Sequence, residues 1–193
     1  MTHRIPPLSA ELAGQIRLVI LDVDGVLSDG TIYVGALPDG EGVELKRFAI
    51  QDGLGVRLLK EAGVEVAVVS GRVSRATEIR ARELDIQECH QEADAFKVPV
   101  VEDLQKRLGV TWQETAMLGD DLPDMAVLRR VGLPAVVANA TPEVREVAVW
   151  QSSRRGGDGA VREFCEALLR ATGRWQELVE TYVSERSGER DDT

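Results

Sequence analysis

Residues 17–30 read RLVILDVDGVLSDG. Leu18, Val19, Ile20 and Leu21 form an unbroken apolar run that ends in Asp22, with Asp24 two positions on and Gly25 directly behind it. A short apolar run without polar alternation fits a strand buried on both faces, as strands of parallel sheets are. Similar runs recur at residues 64–70 (VEVAVVS), 115–119 (TAMLG) and 134–138 (PAVVA). Amphipathic segments of helical period separate them. One begins with Leu54, Val56, Leu58 and Leu59, one carries Phe96, Val100, Leu104 and Leu108, and one is marked by Met125, Leu128 and Val131. Strand alternating with helix predicts an α/β fold around a parallel sheet.

One stretch breaks the rhythm. Residues 31–34 and 43–48 flank a loop rich in Gly, Pro and Asp, which reads as a β-hairpin inserted after the first strand. Ser9 is placed to cap a short first helix. Near the end, GGDG at 156–159 precedes a predicted helix over 160–171, with Thr172-Gly173 as its stop. A last helix is expected over 175–183, and the polar residues 184–193 are expected to be a disordered tail. The predicted organisation is one domain over residues 1–183.

The chain has 193 residues, with 23 Lys and Arg against 33 Asp and Glu, a net charge of −10. That balance excludes nucleic acid as a partner, because phosphate backbones are bound by basic patches. It also disfavours anionic membranes. Aromatics at 4% leave no base-stacking platform. No segment reaches the roughly 20 apolar residues a membrane span needs. The N-terminus lacks the apolar core of a signal peptide, so a cytoplasmic protein is expected. Two cysteines, Cys89 and Cys165, are too few for a disulfide scaffold; Cys165 falls where a helix core residue would.

Ligands of open α/β sheets bind beyond the carboxyl ends of the strands. Asp22 and Asp24 stand there after the first strand. The pair is not a calcium loop, since the sixth and twelfth positions from Asp22 are Leu27 and Tyr33 rather than Gly and Glu. Ser70-Gly71-Arg72 follows the second apolar run, where a hydroxyl and backbone N–H groups can hold an anion. Lys97 lies near the beginning of the helical segment that carries Phe96, Val100, Leu104 and Leu108. Gly119-Asp120-Asp121-Leu122-Pro123-Asp124 follows the next strand; capping explains some of its carboxylates but hardly all three. Carboxylates from two strand ends supply the oxygen ligands Mg²⁺ prefers. A hydroxyl and a lysine can hold phosphate, and the remaining carboxylates can serve as nucleophile and acid–base. No GxxxxGK[ST] or strand-linked GxGxxG occurs, which excludes the common nucleotide-binding loops.

In this order the clusters resemble the four motifs of the haloacid dehalogenase superfamily of phosphatases. Asp22 and Asp24 match the first (LVILDVDGVLSDG), Ser70 the second (VVSGR), Lys97 the third, and Asp120 with Asp121 the fourth (MLGDDLPD). The stretches DVDGVLSDGTIY, ELKRFAIQDGLGVRLLKEAG, GDDLPDMAVLRRVGLP and GGDGAVREFCE resemble, within it, the phosphatases of 3-deoxy-D-manno-octulosonate 8-phosphate (Kdo 8-phosphate), a capless subgroup serving lipopolysaccharide synthesis. The resemblance implies a Rossmann-like three-layer sandwich without a cap domain. It implies homotetramers with hairpins at the centre and a neighbouring subunit over each active site. It implies Asp22 as nucleophile and Asp24 as acid–base. Mg²⁺ is then held by the Asp22 carboxylate, the Asp24 carbonyl and Asp120, and the phosphoryl group by Ser70, the Gly71 N–H and Lys97. Asp121 is expected to ligate through water or orient Lys97, and Asp124 to cap its helix. Arg72, ahead of Arg57 and Arg75, is the expected partner of a sugar-acid carboxylate. The alternatives are a phosphatase of nine-carbon keto-acid 9-phosphates or of a broader set of sugar phosphates, and a catalytically silent oligomerisation domain. Gln51 and Asp158 stand where many members carry basic residues.

Overall fold

The computed structural model describes residues 7–187. In chain order the elements are α1 (Ala10–Gln15), β1 (Leu18–Leu21), a tight helical turn (Val23–Leu27), β2 (Tyr33–Ala36), β3 (Gly42–Leu45), α2 (Ile50–Glu61), β4 (Glu65–Ser70) and α3 (Arg75–Glu83). There follow β5 (Glu88–Gln91), α4 (Lys97–Leu108), β6 (Thr115–Gly119), a 3₁₀ turn (Leu122–Asp124), α5 (Met125–Leu128), β7 (Leu133–Val136), α6 (Pro142–Arg145), β8 (Trp150–Gln151), α7 (Ala160–Ala171) and α8 (Trp175–Ser187). Ser9 caps α1 as expected, its Oγ accepting the Leu12 N–H at 3.1 Å.

Six strands form one parallel sheet in the order β5-β4-β1-β6-β7-β8, flanked by helices in the Rossmann-like manner. Every residue of β1, β6 and β7 is buried, which is why their sequences show no alternation. From β1 the chain steps outward to β4 and β5, then crosses back to β6 on the other side of β1. The strand order therefore reverses at β1, and the crevice at such a switch point is where open α/β sheets bind ligands. Leu21 lies in register with both Val68 and Leu118, so the carboxyl ends of β1, β4 and β6 sit level.

α7 shows how the helices are held. Val161, Phe164, Cys165, Leu168 and Leu169 recur at helical spacing and are all buried. α7 packs on α2, and the two are also joined by a polar tie: the buried Asp52 carboxylate accepts the Arg162 N–H at 2.8 Å.

Three features depart from the sequence expectations. β5 (ECHQ) and β8 (WQ) were not foreseen, because short edge strands with polar residues carry no apolar run. The last helix continues through Ser187, so residues 184–187 of the expected tail are helical; residues 188–193 lie outside the described residues. The hairpin pairs Tyr33 with Leu45 and Ala36 with Gly42, within the expected span 31–48 but offset from its predicted strands. No helix among the described residues is long and apolar enough to cross a membrane.

Asp52 yields a pH prediction. Burial pushes its carboxyl from 3.8 up to about 6, against the pull of the Arg162 N–H and nearby arginines. A raised acid pKa means the folded state binds the proton more tightly than the unfolded state. This group's contribution to stability therefore improves as pH falls from about 6 toward 3.8. Urea unfolding of wild type and Asp52→Asn at pH 4.5 and 7.5 checks this: the difference between the two proteins should change sign or shrink toward the lower pH.

Candidate active site

β1 delivers Asp22 and Asp24 to the switch point, but the backbone must turn sharply to present both. Gly25 makes the turn at φ +102°, and a Cβ there would lie 2.0 Å from Asp120 Oδ2. Only a glycine lets the loop after β1 close onto the carboxylate from β6. The loop is also clamped from behind. Asn139 Nδ2 donates to the Gly25 carbonyl at 3.0 Å, and the Gly156 N–H donates to Asn139 Oδ1 at 2.7 Å. A Cβ on Gly156 would lie 1.8 Å from the Gly25 oxygen. The GGDG segment, read in the sequence as a helix lead-in, is thus the back wall of the loop that carries Asp22 and Asp24.

Asp22, Asp24, Ser70, Gly71, Arg72, Lys97, Asp120, Asp121 and Asp124 line one cavity of about 210 Å³, with Ala95 and Pro123. Every site residue singled out in the sequence motifs is here. Two of the larger grooves, of about 630 and 750 Å³, lie along α2–α3 and beside the hairpin and gather no comparable set of groups. Arg57 and Arg75 line those grooves instead; Arg57 pairs with Glu61 at 2.7 Å. Of the three arginines considered, only Arg72 reaches the cavity within one subunit. It pairs with Glu44 at 3.0 Å and lies 3.7 Å from Asp24 Oδ2.

The centre of the cavity is a buried ion network. Lys97, the first residue of α4, donates to Asp22 Oδ1 at 2.5 Å and to Asp124 Oδ1 at 2.6 Å. All three side chains are less than a tenth exposed. Asp124 also accepts the Asp120 N–H at 2.9 Å. Asp124, expected to cap its helix, makes no cap bond and accepts from Lys97 instead. Asp121, expected to ligate through water or to orient Lys97, makes no bond to Lys97, and its Oδ1 accepts the Leu122 N–H at 2.7 Å.

Asp22, Asp120 and Asp124 each offer an oxygen within 4.8 Å of the others. Burial, then the Asp124 charge, push Asp22 up to about 7 against the pull of Lys97. Burial and the charges of Asp22 and Asp124 push Asp120 up to about 8. Burial draws Lys97 down, but the two carboxylates outweigh it and raise it. The acids rise because one ammonium is shared among several carboxylates out of water. A divalent cation among these oxygens reverses that direction. The donor set fits such an ion: hard carboxylate oxygens from two strand ends, with Gly25 leaving the space beside Asp120 clear.

Lys46 was missed. It follows β3 in a charged stretch, ELKR, that reads as solvated hairpin. In the structure its side chain is fully buried and its ammonium lies 2.8 Å from Asp24 Oδ1.

A six-stranded parallel sheet whose switch point gathers these motifs defines a haloacid dehalogenase-like hydrolase. A family model of that description matches residues 91–164. The chain is 41% identical to the 3-deoxy-D-manno-octulosonate 8-phosphate phosphatase KdsC of Escherichia coli K12 over 174 residues, 89% of this chain and 90% of that protein. A crystal structure of a probable phosphatase of the yrbI family from Pseudomonas syringae superposes with a TM-score of 0.83 at 41% identity, over 90% of this chain and 96% of that one. The Moraxella catarrhalis Kdo 8-phosphate phosphatase, solved with magnesium, phosphate and Kdo, gives a TM-score of 0.83 at 36% identity, over 90% of this chain and 97% of that one. The chain belongs to the 3-deoxy-D-manno-octulosonate 8-phosphate phosphatase family.

Removing one partner of a buried ion pair leaves an uncompensated charge and costs about 3–5 kcal/mol. Lys97→Ala should therefore lower unfolding stability by about that amount in chelator, measured by urea denaturation. A loss under about 1 kcal/mol, the range of exposed pairs, would mean that Lys97 does not hold these carboxylates.

Proposed function

We propose that this chain is a Mg²⁺-dependent phosphomonoesterase that hydrolyses Kdo 8-phosphate to Kdo and phosphate, in the cytoplasmic stage of lipopolysaccharide synthesis. What carries the reading is that a chain 41% identical to the E. coli enzyme over 89% of its length brings Asp22, Asp24, Ser70, Lys97 and Asp120 into one cavity. A silent oligomerisation domain has no need of that set.

In the first step an Asp22 oxygen forms a bond to phosphorus while the phosphorus–sugar oxygen bond breaks. Asp24 gives its proton to the departing sugar oxygen. In the second step water attacks the aspartyl-phosphate, Asp24 takes the water's proton, and the bond from phosphorus to Asp22 breaks to release phosphate. Ser70 Oγ, the Gly71 N–H and Lys97 hold the non-reacting phosphoryl oxygens, where charge spreads in the transition state. Asp22 and Asp120, with the Asp24 carbonyl, are the residues that would hold Mg²⁺, and Asp124 keeps Lys97 aimed between them. When bound, Mg²⁺ supplies charge neutralisation for the phosphoryl oxygens.

A cavity of about 210 Å³ is below the range of pockets that enclose a drug-sized ligand. It suits the phosphoryl group and leaves an eight-carbon sugar acid at the mouth. Phe96 and Leu122, on the loops that lead into Lys97 and follow Asp121, are 71% and 57% exposed, and Val34 on the hairpin is 80% exposed. These apolar surfaces support the homotetramer in which a neighbouring subunit covers the site. The single domain then acts on a small anionic sugar phosphate, with Arg72 facing its carboxylate and with neither nucleic acid nor membrane as partner.

Asp22→Asn should abolish turnover with Kdo 8-phosphate; retention of more than about a tenth of the wild-type rate, under 1.4 kcal/mol of barrier, sinks the nucleophile assignment. A panel of keto-sugar acid phosphates tests the substrate: a preference of less than about 10-fold for Kdo 8-phosphate over a nine-carbon 9-phosphate favours the broader reading. Mg²⁺ at about 100 times its Kd should stabilise the wild type by about 2.7 kcal/mol in thermal unfolding. Asp120→Asn should lose most of that gain; an undiminished gain would place the ion elsewhere.

A further inference from the structure

Lys46 has no part in the chemistry just described, yet it is the most thoroughly buried cation near it. Its side chain is 0% exposed, although it sits on a two-stranded hairpin with water on hand. Lysines are almost never fully buried unless paired. Here the ammonium lies 2.8 Å from Asp24 Oδ1, and it donates to Asp24 Oδ2 at 3.1 Å and to Thr77 Oγ1 at 3.3 Å. Thr77 is itself buried, in the first turn of α3. Two positions earlier, on β3, Glu44 accepts from Ser74 Oγ at 2.6 Å and from Arg72 at 3.0 Å. The hairpin is thus pinned to the start of α3 at two points, and one of them grips the Asp24 carboxylate.

We infer that Lys46 is a positioning residue for Asp24. It holds the carboxylate in the one orientation from which the proton reaches the bridging ester oxygen as the phosphorus–oxygen bond breaks, and it does not itself touch the substrate. Without Lys46, Asp24 has a competing partner close by: the half-exposed Arg72 guanidinium, 3.7 Å from Oδ2. Turning toward Arg72 moves the acid off the line to the ester oxygen. A misplacement of about 1 Å can cost on the order of 100-fold in rate. The hairpin, a candidate contact between subunits, thereby also sets the geometry of the proton transfer. This rests on the phosphatase reading and adds to it a residue that no sequence motif of the site includes.

The test uses leaving groups. An alkyl or sugar phosphate needs the Asp24 proton, whereas p-nitrophenyl phosphate releases a stable phenolate without one. Lys46→Met, Lys46→Arg, Thr77→Val and Asp24→Ala are compared with wild type on both esters, with Mg²⁺ saturating. For Lys46→Met we expect kcat/KM, which reports the steps through cleavage of the ester bond and not the later attack of water, to fall about 10- to 100-fold on the alkyl ester, within what general acid catalysis contributes. On p-nitrophenyl phosphate kcat/KM should stay within about threefold, the pattern of Asp24→Ala in weaker form, while kcat falls on both esters because Asp24 also takes the proton of the attacking water. Equal losses of kcat/KM on the two esters would make Lys46 a structural residue only, and no loss of kcat/KM on the alkyl ester would also overturn the inference. If Lys46→Met shows no cooperative thermal unfolding, Lys46→Arg and Thr77→Val decide. Arginine keeps the charge but not the point geometry, and loss of the Thr77 hydroxyl loosens the ammonium. Both should show the selective loss at smaller size, and a loss without selectivity overturns the inference. Hydrolysis of neither ester by the wild type overturns the phosphatase reading itself, whereas an active wild type with unselective variants overturns only the role of Lys46.

Discussion

Lys97 reaches two carboxylates at once, Asp22 at 2.5 Å and Asp124 at 2.6 Å, in a place nearly free of water. With Asp120, three carboxylates converge within 4.8 Å around a single ammonium. That leaves two negative charges, which is what a divalent cation cancels. The arrangement explains why the surrounding backbone is so constrained. Charges this close can be kept together only if the elements carrying them cannot move apart, and β1, β6 and α4 are locked by a buried sheet. The site's chemistry and its demand on the fold are the same fact seen from two sides.

The parallel sheet was legible because its inner strands are buried on both faces. Leu18–Leu21 and Thr115–Gly119 show unbroken apolar runs, and the carboxylates stand directly at their ends. The edge strands Glu88–Gln91 and Trp150–Gln151 were not, since an edge needs no apolar run and pairs through backbone groups that any residue has. Asp22, Asp24, Ser70, Lys97 and Asp120 were legible through order and spacing. The division of labour between Asp121 and Asp124 was not, because both occupy positions suited to capping and only the path of the 3₁₀ turn decides which faces Lys97. Lys46 was hidden for a different reason: its burial comes from α3 and the loop after β1, far away in the chain. The local signal was a pair of opposite charges two residues apart, Glu44 on β3 and Lys46 directly after it.

The net charge of −10 and an anionic substrate are compatible once charge is located rather than counted. The acids concentrate inside the cavity, and arginines stand at its rim and behind it. Arg72 faces Asp24 and Glu44. Arg47 pairs with Asp158 at 2.6 Å and Arg154 reaches Gln51 at 3.2 Å, so each of these positions has an arginine brought to it from elsewhere in the chain. A cleft can hold a local field of sign opposite to that of the whole protein.

The clamp of Asn139 and Gly156 on the Gly25 carbonyl has a consequence for how the molecule comes into being. The loop that carries Asp22 and Asp24 is synthesised before the groups that press it into shape, which lie more than a hundred residues further along the chain. A nascent chain stopped before Gly156 would already contain Asp22, Asp24, Ser70, Lys97, Asp120 and Asn139, but it would lack the backbone N–H that holds the Asn139 amide against Gly25. The turn that aims Asp22 and Asp24 is therefore completed by a distant glycine that donates to Asn139 and, lacking a Cβ, lets the Gly25 carbonyl come close.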